Sequence, residues 1–142
     1  MKRIGSLLLA GLAVLVSIQL LSGCSTPDQD IITAEVNAED LFLQNCANCH
    51  GVYGEGDGPV AAILSINPPD LRQISRRNRG EFPHDVIVQI IDGRTLRNGH
   101  DLPGMPVWGD MLAPPDLTEN EANALVTQRV SALANYLESI QR

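Results

Sequence analysis

Apolar and polar positions divide the chain into blocks with different periods. Ile4 to Leu21 is apolar apart from Gly5, Ser6, Gly11, Ser17 and Gln19. Ser25 to about Glu35 is polar, with one proline, and reads as a tether. Ala38 to about Cys46 follows as a helix, with Asn37 able to cap it, Asp40 at the capping-box position, and Leu41 and Phe42 on the core side. Breakers then dominate: Gly51, Gly54, Gly56, Gly58, Pro59 and Pro68-Pro69 predict loops, with single helical turns within Val60–Ile66 and Asp70–Arg77, the second capped by Asp70. From Pro83 to Asp92, Val86, Ile87, Ile90 and Ile91 form one apolar stripe of a helix, with Pro83 in its first turn and Gly93 just past its end. A loop covers Arg94 to Pro115. The last helix starts at a capping box, Thr118-Glu119-Asn120-Glu121, and runs to about Ser139. Ala122, Leu125, Val126, Val130, Leu133, Tyr136, Leu137 and Ile140 lie on its apolar face. No strand alternation of useful length occurs, so the expected fold class is all-α, a small domain with long loops. Loops of that length in a compact domain normally wrap something.

The first block changes the count of residues available to fold. Lys2 and Arg3 followed by the Ile4–Leu21 run have the charge flank and length of a signal peptide. The run ends in Leu21-Ser22-Gly23-Cys24, which resembles the lipobox of bacterial lipoproteins and implies cleavage before Cys24 and lipidation of its sulfur. An uncleaved membrane anchor and ordinary signal cleavage are the other readings. The expected organisation is therefore a signal peptide at 1–23, a lipidated tether at 24–36 and one domain at 37–142. The location this implies is the periplasmic side of a bacterial membrane, held by acyl chains, and Ser25 after the cysteine permits transfer to an outer membrane. Removing Lys2 and Arg3 takes the formal net charge from −7 to −9 and leaves no lysine. Nucleic acid is an excluded partner, because phosphate-backbone binding needs a field of lysine and arginine.

Composition raises a further question. Aromatic residues are 4% of the chain, which leaves a small domain short of large apolar groups and in need of a staple. Three cysteines cannot all pair with one another. Two of them stand in Cys46-Ala47-Asn48-Cys49-His50, the C-x-x-C-H attachment motif for c-type haem. Thiols three positions apart near a helix end can reach two vinyl groups on one porphyrin edge, and the next residue can present its imidazole to the iron. A structural zinc site would need two more ligands, with only His84 and His100 remaining, and a thioredoxin-like pair would need a βαβ setting that the pattern does not contain. Met105, in the Pro-bounded stretch Gly104-Met105-Pro106-Val107-Trp108-Gly109, is the first candidate for the second axial ligand. Met111, His84 and His100 are its competitors.

These residues resemble a class I c-type cytochrome, the small monohaem family of mitochondrial-like architecture. The resemblance covers Ala38 to the C-terminus. It rests on Cys46-Ala47-Asn48-Cys49-His50-Gly51, Pro59 after the glycines, Pro68-Pro69-Asp70-Leu71, Ile91-Asp92-Gly93-Arg94 and Met105-Pro106-Val107-Trp108-Gly109. It implies one covalent haem c with its iron between His50 and Met105, and crossed terminal helices with Phe42 against Tyr136. Pro59 is expected to offer its carbonyl to the second nitrogen of His50, or to serve only as a turn residue. Trp108 would contact a haem propionate or simply pack. Arg72, Arg76, Arg77, Arg79, Arg94 and Arg97 are candidates for propionate pairing or for a solvated patch. The implied activity is one-electron transfer among redox proteins of a respiratory chain, with no catalytic residues. A cytochrome subunit of a dehydrogenase or oxidase complex, and a five-coordinate peroxidase or sensor, remain as alternatives.

Overall fold

The computed structural model describes residues 36–95 and 105–142. The signal peptide at 1–23, Cys24, the tether up to residue 35, Arg97 and His100 lie outside the described residues. Among the described residues the chain is helical with no strand, and no helix is long and apolar enough to cross a membrane.

Helix α1 (Ala38–Asn45) starts where Asn37 accepts a hydrogen bond from the Asp40 amide at 3.1 Å. The reciprocal half of a capping box is not formed, since Asp40 is too short to reach back as a glutamate would. Helix α2 (Ala47–His50) follows after one intervening residue, Cys46. The two short-turn expectations correspond to 3₁₀ turns at Ala61–Ile63 and Leu71–Gln73, the second capped by Asp70 and running into α3 (Ile74–Arg77). Helix α4 (His84–Asp92) begins one residue later than expected, with Pro83 as its capping residue; a proline has no amide to lose there. Gly93 ends it in the left-handed region, φ 71°, with its amide on the Gln89 carbonyl at 2.9 Å. Helix α5 (Trp108–Met111) was expected to be loop; a single turn is too short to show a period in sequence. Helix α6 (Glu119–Ser139) carries the Thr118/Glu121 capping box in full.

The core is built around α6. Leu125, Val126, Val130, Leu133, Ala134 and Leu137 are buried on its inner face, and each of the larger ones contributes about 1.5–3 kcal/mol of burial. At one end α1 meets it through Phe42, whose ring centroid is 5.2 Å from that of Tyr136, tilted by 42°. In the middle α4 delivers Ile87 and Ile91 to the core, and His84 Nε2 lies 2.8 Å from Asn135 Oδ1 of α6. The C-terminus closes on the 71–75 segment. Gln141 accepts from the Ser75 amide and donates to the Leu71 carbonyl, both at 2.8 Å, and the Arg142 amide donates to the Arg72 carbonyl at 3.0 Å.

The apolar stripe of α4 faces both the core and a cavity. Ile87 and Ile91 are buried in the core, and all four stripe residues, Val86, Ile87, Ile90 and Ile91, line the cavity, with Val86 half exposed.

Candidate cofactor site

The motif helix α2 is one turn long and its carbonyls would be orphaned if nothing met them. The glycine-rich segment meets them. Gly58 donates to the Cys49 carbonyl at 3.2 Å, Val60 to that of Asn48 at 3.1 Å, and Gly56 to that of His50 at 2.8 Å. Gly58 is buried and so close that a Cβ there would overlap the Asn48 carbonyl oxygen and stand 2.6 Å from the Cys49 carbonyl carbon. These glycines are functional residues that sequence reasoning took only as breakers. Their signal was the position of a G-x-G-x-G run immediately after the motif.

Cys46, Cys49 and His50 line one cavity of about 430 Å³ together with Met105 and Trp108. Its walls are mainly apolar, from Phe42, Leu71, Ile74, Val86, Ile90 and Leu137 among others, with Asn45, Asn67, Arg77 and Asn78 supplying polar groups. Of the competitors to Met105 within the described residues, neither reaches this space. Met111 is 60% exposed, and His84 is spent on Asn135.

Both cysteines are free thiols. Burial, with a smaller contribution from Cys49, pushes the Cys46 thiol up to about 12. It is therefore protonated at neutral pH, which does not suit a low-pKa redox pair. Among the described residues there is also no group of three or more His, Cys, Asp or Glu placed to hold a metal ion.

Burial pushes the pKa of His50 down, and the Pro69 backbone opposes this more weakly. The ring is thus neutral at neutral pH and keeps a lone pair for a metal. Its Nδ1 is buried with no hydrogen-bond partner within reach among the described residues. The bond expected from the Pro59 carbonyl to this nitrogen is not made in this structure; Pro59 is exposed and does not line the cavity, whereas Pro69 lines it and its backbone acts on the ring. A neutral, buried imidazole beside two thiols in an apolar slot fits a flat, apolar iron macrocycle attached at one edge.

The arginines separate into different environments. Arg72 bonds Asp70 and Glu55, and Arg94 bonds Asp92 and Asn123, so both are engaged with partners in the protein. Arg76 reaches Gln73 at 3.4 Å. Arg79 takes a left-handed backbone, φ 61°. Only Arg77 of the described candidates lines the cavity, while its Nη1 donates to the Asp70 carbonyl at 2.9 Å.

Comparison with known proteins gives one family match. A model described as Cytochrome c matches residues 36–141. No curated protein and no solved structure matches the chain.

Proposed function

The chain belongs to the cytochrome c family, and on that premise we propose that it is a class I, monohaem, lipid-anchored electron carrier with His50 and Met105 as axial ligands. Members of the family bind haem c covalently and serve haem-based electron transfer. The observation that carries the finer reading is that Cys46, Cys49, His50 and Met105 line the same apolar cavity.

The bound group supplies a one-electron ferric/ferrous couple. The residues around it do the rest. Cys46 and Cys49 offer thiols for two thioether bonds. His50 stays neutral through burial and presents a nitrogen lone pair. Met105 offers an uncharged, soft sulfur. Val86, Ile90 and Leu137 keep water from the slot, and Arg77, Asn67 and Asn78 can take its charged substituents. With both axial positions filled by protein there is no site for substrate, so the reading is a carrier and not an enzyme. A redox-titrated optical spectrum of the matured protein tests this. One reversible one-electron transition with a low-spin spectrum in both states is expected, and a high-spin ferric spectrum would count against two protein ligands.

The proposed setting is the periplasmic face of a bacterial membrane, held through lipid on Cys24. The support is the lipobox-like Leu21-Ser22-Gly23-Cys24 after an apolar run. Cys24→Ser is expected to move the protein from the membrane fraction to the soluble periplasm or to block its processing. A normally processed, membrane-bound Cys24→Ser protein rejects the lipid claim.

Partners proposed on this reading are membrane quinol oxidoreductases, terminal oxidases or periplasmic dehydrogenases. A mature net charge of −9 without lysine favours basic docking faces on them. The rate of partner reduction is then expected to fall as ionic strength rises from about 0.01 to 0.15 M, where screening shortens from about 30 to 8 Å. A flat salt dependence assigns encounter to membrane co-localisation instead.

A further inference from the structure

One three-residue pattern occurs twice in the described chain, Asp70-Leu71-Arg72 and Asp92-Gly93-Arg94. Both fold the same way. In each, the first carboxylate oxygen accepts from the arginine amide and from its Nε, at 2.9 and 3.0 Å in the first pair and 3.1 and 2.8 Å in the second. In each, Nη2 reaches the other oxygen, at 3.0 and 2.8 Å. This is a bidentate guanidinium–carboxylate fork tied to its own backbone. The remaining Nη1 points outward to a third element: Glu55 of the glycine-rich loop in one case, Asn123 of α6 at 2.8 Å in the other.

The second fork lies directly beneath the segment that carries Met105. Gly109, within α5, is buried flat on it: a Cβ there would overlap Arg94 Nε and stand 2.5 Å from Asp92 Oδ1 and 2.7 Å from Arg94 Cδ. Gly93 faces Val107 in the same way, with its hypothetical Cβ 3.4 Å from Val107 Cγ1 and 3.5 Å from Val107 Cα. Met105 stands two residues before Val107 and is joined to it through Pro106, whose ring fixes one backbone angle. At the far end of the turn, Arg129 of α6 donates to the Leu112 carbonyl at 2.6 Å. The 105–112 segment is thus seated at both ends, and the fork is its seat nearest the methionine.

We propose that Asp92 and Arg94 act as a positioning clamp for Met105, with Gly109 as the flat surface the clamp requires. The inference rests on the reading of Met105 as an axial ligand. A thioether is a weak donor whose bond to the metal survives only if its segment is already held in place, so a rigid seat appears as resistance to displacement by an outside ligand. The clamp is itself kept charged: Arg94 holds the Asp92 carboxyl below its usual range. The Asp70–Arg72 fork does not line the cavity wall through its side chains, and it serves as the internal control.

The test is a titration of the matured, oxidised protein with imidazole, followed by the loss of the sulfur-to-iron charge-transfer band. Arg94→Gln is expected to bind imidazole about tenfold more tightly than the parent, the effect of one partly exposed charge-assisted pair. Gly109→Ala, which pushes a methyl group into the fork from the other side, is expected to give an increase of similar size. Arg94→Lys keeps the charge without the fork and is expected to show about a threefold increase; with Gly109→Ala it carries the test if Arg94→Gln does not retain haem. Arg72→Gln is expected to leave the affinity within about twofold, because it breaks an equivalent pair elsewhere. If Met105→Ala removes the band while the Arg94 and Gly109 variants stay within about twofold of the parent, the clamp is rejected and the ligand assignment stands. If Arg72→Gln raises affinity as much as Arg94→Gln does, the effect is general loosening and the clamp is again rejected. If Met105→Ala keeps the band, both ideas fall.

Discussion

Replacing Met105 with alanine is expected to abolish the sulfur-to-ferric-iron charge-transfer band, lower the reduction potential, and make the reduced protein bind carbon monoxide rapidly. The physical argument runs through the donor atom. A thioether sulfur is soft and uncharged, so it stabilises the ferrous state more than the ferric one. Alanine leaves that position to water, a hard donor that prefers ferric iron, and to any small ligand that enters. The expected fall in potential is on the order of 100 mV, a modest part of the roughly 0.8 V that axial ligation spans. Met111→Ala is the matched control. Met111 is 60% exposed and does not line the cavity, so its loss is expected to change none of these readings. A band that survives Met105→Ala and vanishes in Met111→Ala would transfer the assignment.

The long elements were legible because each carries both a period and a stop signal. Asn37, Thr118/Glu121 and Gly93 mark ends of α1, α6 and α4 within a residue or two of where the chain turns. The Cys46–His50 motif was legible for a different reason, since its spacing is dictated by the cofactor and not by the fold. Other features depended on where the chain returns in space. Pro59 looked like the partner of His50 because it follows the glycines closely, yet Nδ1 has no partner among the described residues, and it is Pro69, ten residues later, that lines the cavity. Arg72 and Arg94 looked free to pair with propionates. Their aspartates, two residues upstream, were in plain sight, but nothing in a one-dimensional reading says that a D-x-R triplet will close on itself. Helix α5 and the double use of the α4 stripe were not legible at all, because both are set by packing around the cavity.

The glycines after the motif lead to the second large expected effect. Gly58→Ala is expected to destabilise the matured protein by about 3 kcal/mol, from an overpacking cost of 1–3 kcal/mol plus weakened hydrogen bonds of about 1 kcal/mol each. A Cβ at 58 meets only backbone, 2.6 Å from both the Asn48 and the Cys49 carbonyl carbons, and backbone cannot swing aside as a side chain can. Relief requires the 56–60 loop to lift from α2, loosening the amides that Gly56, Gly58 and Val60 supply to the His50, Cys49 and Asn48 carbonyls. The histidine carbonyl is one of those released, so the axial imidazole loses part of its support. Gly80→Ala isolates the other penalty a glycine can hide. Gly80 has φ 94° with nothing within 4 Å of a hypothetical Cβ, so its cost is conformational strain alone, about 1 kcal/mol. Denaturant unfolding of the two variants, followed by the haem spectrum, separates the effects. Gly58→Ala is expected to shift the midpoint about three times as far and to broaden the low-spin spectrum before unfolding, whereas Gly80→Ala leaves the spectrum unchanged. Equal shifts would mean that the loop does not cap the motif helix in solution.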